Sequence, residues 1–239
     1  MRSRLRVGAA VSAGIILATL LSACGKAPSD FDALARKVDT VPYSRFDDAG
    51  KDHIYDSRIL RMDLRSLPIS GSSLGIARDR WPALSFGPGL LLAFDGPSGR
   101  STSRAVTVSI TTDTDGVVNW VHANRSLPAD ELIAELRRGV EDWGLPRDDV
   151  EALIADLHRH LAPGCPEVVP KLIADCSLGS DTTGVAPSGI VAHVEVRHDG
   201  DDLIQISYKL PLSPAYYTPS ALTTIRTTGR LPRLTPAGE

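Results

Sequence analysis

The sequence predicts an α+β fold in which an antiparallel sheet, built from β-hairpins, carries an antiparallel helical hairpin on one face. Two pairs of segments alternate apolar and polar residues around short turns, as hairpins do when their sheet has one buried face. Between the pairs lie two segments with apolar residues at helical spacing, and their connection is short enough to make them antiparallel neighbours. The order hairpin, two helices, hairpin is that of one layered domain.

The first elements follow a short polar tether. Phe31, Leu34 and Val38 have helical spacing and predict a short helix, which Pro42 prevents from going far. The segment 58–66 alternates with period two and predicts a strand with one buried face. The segment 68–88 is rich in glycine, serine and proline, so it predicts a loop around Trp81.

The hairpins come from the next alternating segments. Residues 90–94 predict a brief strand. Residues 105–112 and 117–122 alternate on either side of Asp115-Gly116, a dipeptide that favours a hairpin turn because its positions accept positive φ. Residues 190–197 and 203–210 form the second pair, around His198-Asp199-Gly200.

The two helices carry signals at both ends. Ser126 and Pro128 mark the start of the first helix, and Gly144 ends it. Pro146 opens the second helix, since proline fits the first helical turn, and Pro163-Gly164 stops it.

The N-terminus has the pattern of a secretory signal. Three arginines precede an apolar run over 7–21, and small residues follow it. Leu21-Ser22-Ala23-Cys24 resembles the lipobox of bacterial lipoproteins. The resemblance covers only the first 24 residues. It implies cleavage before Cys24, acylation of the Cys24 sulfur, and a protein anchored by lipid to the cell membrane outside the cytoplasm. Because Gly25 and not aspartate follows the cysteine, export to an outer membrane stays open in an envelope that has one. The alternative is an uncleaved transmembrane helix, but the apolar run is shorter than the ~20 residues that span a bilayer.

The chain accordingly divides into four parts. These are a signal peptide (1–23), a tether with a short helix (24–45), a single α+β domain (46–212) and a proline-rich, irregular C-terminal segment (213–239) in which 222–227 can add an edge strand. The net charge of −3 becomes more negative once the arginines of the signal are removed, which argues against nucleic acid as a partner.

Cysteine usage predicts one disulfide. The chain has three cysteines. If Cys24 carries lipid, as the resemblance implies, Cys165 and Cys176 remain as a pair in an oxidising compartment. Two unpaired thiols are the alternative, and a zinc site fits the Cys-x10-Cys spacing poorly.

One motif suggests nucleophilic catalysis. Gly71-Ser72-Ser73-Leu74-Gly75 matches the G-x-S-x-G nucleophile elbow, which would make Ser73 the nucleophile and His193 or His198 its base. The context disfavours this interpretation, because an elbow needs a buried parallel strand before it and a helix after it.

Two acidic turns are weak candidates for cation binding. Residues 111–116 are similar to half of a calcium loop, but they lack the first acidic ligand, and His122 stands where the bidentate glutamate should be. Asp199, Asp201 and Asp202 form a second acidic turn with no specific ligand pattern. The sequence therefore predicts no metal site at either turn.

The histidines give no metal motif. His158 and His160 are two apart on a helix, about 200° around its axis, so they cannot chelate one metal; in the last turn they complement the helix dipole. His122, His193 and His198 fall on strands or turns, and two of them can meet only if the hairpins pair side by side.

The three tryptophans allow two interpretations. Trp81, Trp120 and Trp143 could line a ligand cleft, but each also occupies an apolar position of its segment, which favours packing in or beside the core.

The sequence thus predicts a membrane-anchored extracytoplasmic lipoprotein, a binding or accessory module of the cell envelope that takes a protein partner, an envelope component or a small ligand. No cofactor motif is present. One alternative is an anchored serine hydrolase using Ser73. The other is a structural spacer, which should have no concave pocket.

Overall fold

The computed structural model describes residues 30–77, 80–161, 179–198 and 203–234. Within these ranges there are five α-helices and seven strands that form one sheet, which confirms the α+β class. The helices are α1 (Asp30–Ala35), α2 (Asp48–Ser57), α3 (Ala129–Asp142), α4 (Arg147–His160) and α5 (Pro219–Thr228). The strands are β1 (Ile59–Asp63), β2 (Ala83–Gly96), β3 (Gly99–Thr112), β4 (Val118–Leu127), β5 (Gly179–Val185), β6 (Val191–His198) and β7 (Ile204–Pro211), in the spatial order β1-β2-β3-β4-β7-β6-β5.

The sheet is mixed, so the prediction of an antiparallel sheet built from hairpins is wrong at one edge. β1 runs parallel to β2, with Ile59 opposite Leu91, whereas the other neighbouring strands are antiparallel. Parallel neighbours need a long crossover and not a tight turn. The connection from β1 to β2 is long enough for this, and Ile69 and Ile76 within it are buried in the main core.

The strands of both predicted hairpins pair antiparallel, β3 with β4 and β6 with β7, and the two pairs are neighbours because β4 pairs with β7. The β3–β4 turn is longer than the Asp-Gly pair suggests. Gly116 has a φ of 77°, and Asp113 Oδ1 accepts hydrogen bonds from the N–H groups of Asp115 (3.0 Å) and Val117 (2.9 Å). The polar side chain of Asp113 therefore closes the turn without any ion.

Two stretches of strand differ from the prediction. β2 already begins at Ala83, inside the predicted loop, because a register shift between Ser85 and Leu90 accommodates the break at Gly87-Pro88-Gly89. β5 consists mainly of small and polar residues and was not predicted. Its Gly184 packs backbone to backbone, since a Cβ there would lie 2.4 Å from the carbonyl oxygen of Trp143.

The main buried cluster contains apolar side chains of the strands and of both α3 and α4. Both helices begin directly after the predicted prolines, Pro128 and Pro146. Their apolar side chains belong to the same buried cluster as those of the strands. Members from the helices are Leu132, Leu136, Leu153 and Leu157, and members from the strands include Leu92, Val121, Val194 and Ile206.

A buried ionic cluster links α3 to β4 and β7. Glu135 Oε2 lies 2.6 Å from Arg125 Nη2 and 2.7 Å from Arg138 Nη2, and the hydroxyl of Tyr208 donates to Glu135 Oε1 at 2.8 Å. Only 12% of the Glu135 side chain is exposed. Burial alone would raise the pKa of Glu135, but Arg125, Arg138 and Tyr208 outweigh it and lower that pKa.

A second ionic cluster surrounds Asp95 at the β1 edge. Arg61 Nε and Nη2 donate to Asp95 Oδ2 at 3.0 Å, Arg100 Nε donates to Oδ1 at 2.5 Å, and the Tyr43 hydroxyl donates to Oδ2 at 3.0 Å. Arg61 also donates to the carbonyls of Val38 and Val41. The cluster therefore holds the N-terminal segment onto β1 and β2.

Two smaller apolar clusters lie at the two ends of the strand order. At one end, residues of the N-terminal segment, Leu34 and Val38 among them, pack on Ile59 and Leu91. At the other end, Ile225 of α5 packs on Val185 and Val191.

The predicted edge strand at 222–227 is wrong, because these residues belong to α5. Thr218 caps the helix by accepting from the N–H of Ala221 at 3.2 Å, and Gly229 ends it with a φ of 63°. The threonines that suggested a strand satisfy their hydroxyls within the helix, as Thr223 does by donating to the Pro219 carbonyl at 2.8 Å.

Candidate functional site

A cleft of about 550 Å³ lies between the start of α2 and the start of β2. Trp81 forms part of its wall and is 70% exposed, so the prediction that this tryptophan packs in or beside the core is wrong. Phe46 and Ile76 give the cleft a buried apolar floor. This volume lies within the ~300–1,000 Å³ range of small-molecule sites. We call this feature the Trp81 cleft.

Groups of both charge signs line the Trp81 cleft: Asp47, Asp48, Lys51 and Arg80. The Asp48 side chain is fully exposed, and its 3.9 Å contact with Lys51 is a weak ion pair. The cleft therefore combines an exposed tryptophan with charged side chains that can accept or donate hydrogen bonds.

Asp47 shapes this wall. Its Oδ2 accepts from Arg45 Nε at 2.7 Å, and its Oδ1 accepts from the N–H of Gly50 at 3.0 Å, which caps α2. The hydrogen bond from Arg45 and then the bond from Gly50 lower the pKa of Asp47. Asp47 is therefore an anion held in a fixed position at neutral pH.

We expect Gly75→Ala to distort this wall. Gly75 has a φ of 72°, and an added Cβ would lie 2.8 Å from Asp47 Oδ2 and 3.0 Å from the Asp47 nitrogen. The left-handed backbone and this close approach should lower the free energy of unfolding by about 1–2 kcal/mol. Urea unfolding followed by circular dichroism measures the loss. Gly87→Ala, at a site where an added Cβ meets nothing within 4 Å, is the control.

Ser73 lies in a second, smaller cleft of about 370 Å³, which Tyr43, Arg61 and Asp63 also line. The Ser73 hydroxyl donates to the carbonyl of Ser70 at 2.7 Å, within the 3₁₀ turn Gly71–Leu74. Among the described residues that line this cleft there is no histidine. Ser73 is thus engaged with its own turn, and none of these lining residues supplies a histidine base.

Lys209 separates two of the candidate histidines. In the strand register, His122 lies opposite Lys209, and Lys209 lies opposite His193. The backbones of the two histidines are therefore two strand spacings apart, about 9.6 Å, with Lys209 between them. In the part of the chain that the structure describes, no three His, Cys, Asp or Glu side chains are grouped as metal ligands. Burial is the main cause that lowers the pKa of His122, and the positive charge of Lys209 lowers it further.

His193 belongs to a half-buried polar cluster. Its Nδ1 lies 3.0 Å from Thr183 Oγ1, and its Nε2 lies 3.3 Å from Glu195 Oε1, which Lys209 also contacts. The arrangement of hydroxyl, imidazole and carboxylate has the partners of a catalytic triad, but Thr183 is fully buried. Thr183 therefore cannot reach a substrate, and its hydroxyl orients the imidazole.

The remaining candidates have structural surroundings or lie outside the described residues. Trp143 is buried and packs on Tyr208, as predicted, while Trp120 is half-buried beside His122. His158 and His160 are in the last turn of α4 as predicted. Outside the described residues lie Cys24, Cys165, Cys176, the acidic turn 199–202 and the side chain of His198.

No helix in the described ranges is long and apolar enough to cross a bilayer. A scan against protein-family models, a search of curated proteins and a search of solved structures each found no match for this chain.

Proposed function

We propose that this chain is a lipid-anchored, extracytoplasmic binding module of the bacterial envelope, and that its ligand binds in the Trp81 cleft. The observation that carries the proposal is a 70% exposed tryptophan in a cleft of about 550 Å³ whose floor is apolar and whose sides carry both charge signs. A structural spacer has no need of such a cleft. An exposed indole costs free energy in water, and a ligand that covers it recovers that cost.

The anchored hydrolase is less well supported. A serine nucleophile needs a base within hydrogen-bond reach and a third group that orients the base. The bond from Ser73 to the Ser70 carbonyl gives its hydroxyl proton another acceptor, and the described lining of that cleft offers no imidazole. We therefore favour binding over hydrolysis.

The proposal includes how α3 and α4 sit on the sheet. We infer that they form an antiparallel hairpin covering one face of the sheet as a layer. Polar contacts from both helices to strands support it: Tyr208 donates to Glu135 of α3, and Thr182 donates to Asp149 of α4 at 3.0 Å. The helices then stiffen the sheet, and the Trp81 cleft lies outside their layer.

We expect Cys24 to carry the anchor. Two or more acyl chains hold a protein stably at a membrane, whereas one chain binds only marginally. Mass spectrometry of the N-terminal peptide should find Cys24 as the first residue with a diacylglyceryl group, and Cys24→Ser should abolish incorporation of labelled palmitate. Cys176→Ser, which leaves the lipobox intact, should keep the label. Label that persists in Cys24→Ser would contradict the anchor.

We also expect Cys165 and Cys176 to form a disulfide. Closing a loop of about a dozen residues stabilises the fold by roughly 3 kcal/mol when the bond constrains the unfolded chain. Peptide mapping without reduction should recover the two cysteines in one linked peptide. Free thiols at both positions would remove the disulfide from the proposal.

Native mass spectrometry of the full chain, extracted from its own envelope in mild detergent, tests the binding function. Wild-type protein should retain a small molecule of defined mass, and Trp81→Ala should lose it. Because Trp81 is largely exposed, this variant should fold normally. Trp120→Phe, a change at a half-buried tryptophan away from the cleft, should retain the molecule. Equal retention by wild type and Trp81→Ala, or none by wild type, would refute binding at this cleft.

A further inference from the structure

We infer that the ligand of the Trp81 cleft is a neutral saccharide. The inference rests on the proposed function and adds the chemical class of the ligand. Its first support is the 70% exposed indole of Trp81. The face of an aromatic ring carries partial negative charge, so it attracts C–H groups that carry partial positive charge. The faces of sugar rings present such C–H groups, while their hydroxyls point outward from the ring edge.

The polar groups near the indole match those hydroxyls. Each sugar hydroxyl can donate one hydrogen bond and accept others. Asp48 supplies a fully exposed carboxylate as acceptor, and Lys51 and Arg80 supply donors. The 3.9 Å contact between Lys51 and Asp48 is weak enough to yield both groups to a ligand.

The same lining disfavours the other ligand classes. Charges of both signs line the cleft, so neither an anion nor a cation meets a lining of uniformly opposite charge. Quaternary ammonium groups are bound by cages of several aromatic rings, whereas Trp81 is accompanied in the described lining only by the buried Phe46. A wholly apolar ligand would cover charged groups such as Lys51 and Arg80 without replacing the hydrogen bonds that water gives them. A neutral sugar ring carries no net charge, needs no cage of aromatic rings, and offers hydroxyls that bond to the charged side chains.

Calorimetric titration of the full chain in polyoxyethylene detergent tests the ligand class. The probes are two neutral trisaccharides (the N-acetylglucosamine trimer and maltotriose), the galacturonic acid trimer as an anion, and choline as a cation. We expect saturable binding of at least one neutral trimer, at least tenfold weaker binding by Trp81→Ala, and several-fold weaker binding by Asp48→Asn. Trp120→Phe should bind as wild type does.

Two results would overturn the inference. One is failure of both neutral trimers to bind, or tighter binding of choline or the acidic trimer. The other is neutral-trimer binding that Trp81→Ala leaves unchanged. Neither result decides the proposed function, because loss of a retained molecule from Trp81→Ala in native mass spectrometry does not depend on what that molecule is.

Discussion

Replacing Glu135 by alanine is expected to lower the free energy of unfolding by about 3–5 kcal/mol. Glu135 joins α3 to β4 and β7 through Arg125 and the Tyr208 hydroxyl. The side chain of Arg125 is only 11% exposed, so removal of its carboxylate partner leaves a buried charge uncompensated. The same change leaves the buried hydroxyl of Tyr208 without its acceptor. Urea unfolding at neutral pH, followed by circular dichroism, measures the loss.

Glu141→Ala is the matched control for this measurement. Glu141 is an exposed glutamate of the same helix, and its removal should change the free energy of unfolding by less than about 0.5 kcal/mol. Equal and small effects of the two substitutions would show that the Glu135 cluster does not link α3 to the sheet.

Replacing Asp95 by asparagine is expected to cost about 3 kcal/mol of stability at pH 7, because it leaves Arg61 and Arg100 without their shared carboxylate. Asp95 is 8% exposed. Burial alone would raise its pKa, but hydrogen bonds from Arg100, Arg61 and Tyr43 outweigh burial and lower the pKa to about 2. Asp52→Asn, at an exposed site of α2, should change stability by less than about 0.5 kcal/mol.

The lowered pKa also sets a pH dependence. In the unfolded chain the carboxyl of an aspartate titrates near its ordinary value of 3.8, and in the folded protein Asp95 titrates at about 2. The charged form therefore stabilises the fold above pH 4, and this contribution of roughly 2.5 kcal/mol is lost as the pH falls towards 2. Unfolding measured between pH 7 and pH 2 should show a smaller acid dependence in Asp95→Asn than in wild type. Identical pH profiles would contradict the role assigned to Asp95.

Patterns within single segments of the sequence predicted the helices and the hairpin whose ends are set by neighbouring residues. Pro128, Pro146 and Gly144 marked the ends of α3 and α4, and alternation around Asp115-Gly116 marked the β3–β4 hairpin. Pairing between segments that are far apart in the sequence left no such signal. The parallel pairing of β1 with β2 depends on a crossover, and β5 depends on the close approach of Gly184 to the Trp143–Gly144 backbone.

The error at α5 has a local cause. β-Branched residues at 223, 224 and 225 favour a strand, yet Thr218 and Gly229 provide both helix caps. Threonine hydroxyls that bond to carbonyls four residues earlier, such as Thr224 to Ser220 at 3.0 Å, make these residues compatible with a helix. The capping residues were the better signal.

The sequence predicted only part of the candidate site. Trp81 was considered as a cleft residue, but its apolar character favoured packing. Its neighbours Arg80 and Pro82 fall in the predicted loop 68–88, and that pattern does not decide whether the tryptophan is exposed. The partners of Trp81 could not be predicted, because Asp48 and Lys51 come from α2 and approach the indole only through the fold.

Fluorine NMR of the full chain labelled with 5-fluorotryptophan tests binding at the Trp81 cleft most directly. The three tryptophans give three resonances, and the buried Trp143, only 2% exposed, serves as an internal reference. Trp81→Phe assigns the resonance of Trp81. On addition of the small-molecule fraction of the protein's own envelope, the Trp81 resonance should shift saturably while the Trp143 resonance stays in place. A Trp81 resonance that does not move at any concentration would contradict ligand binding in this cleft.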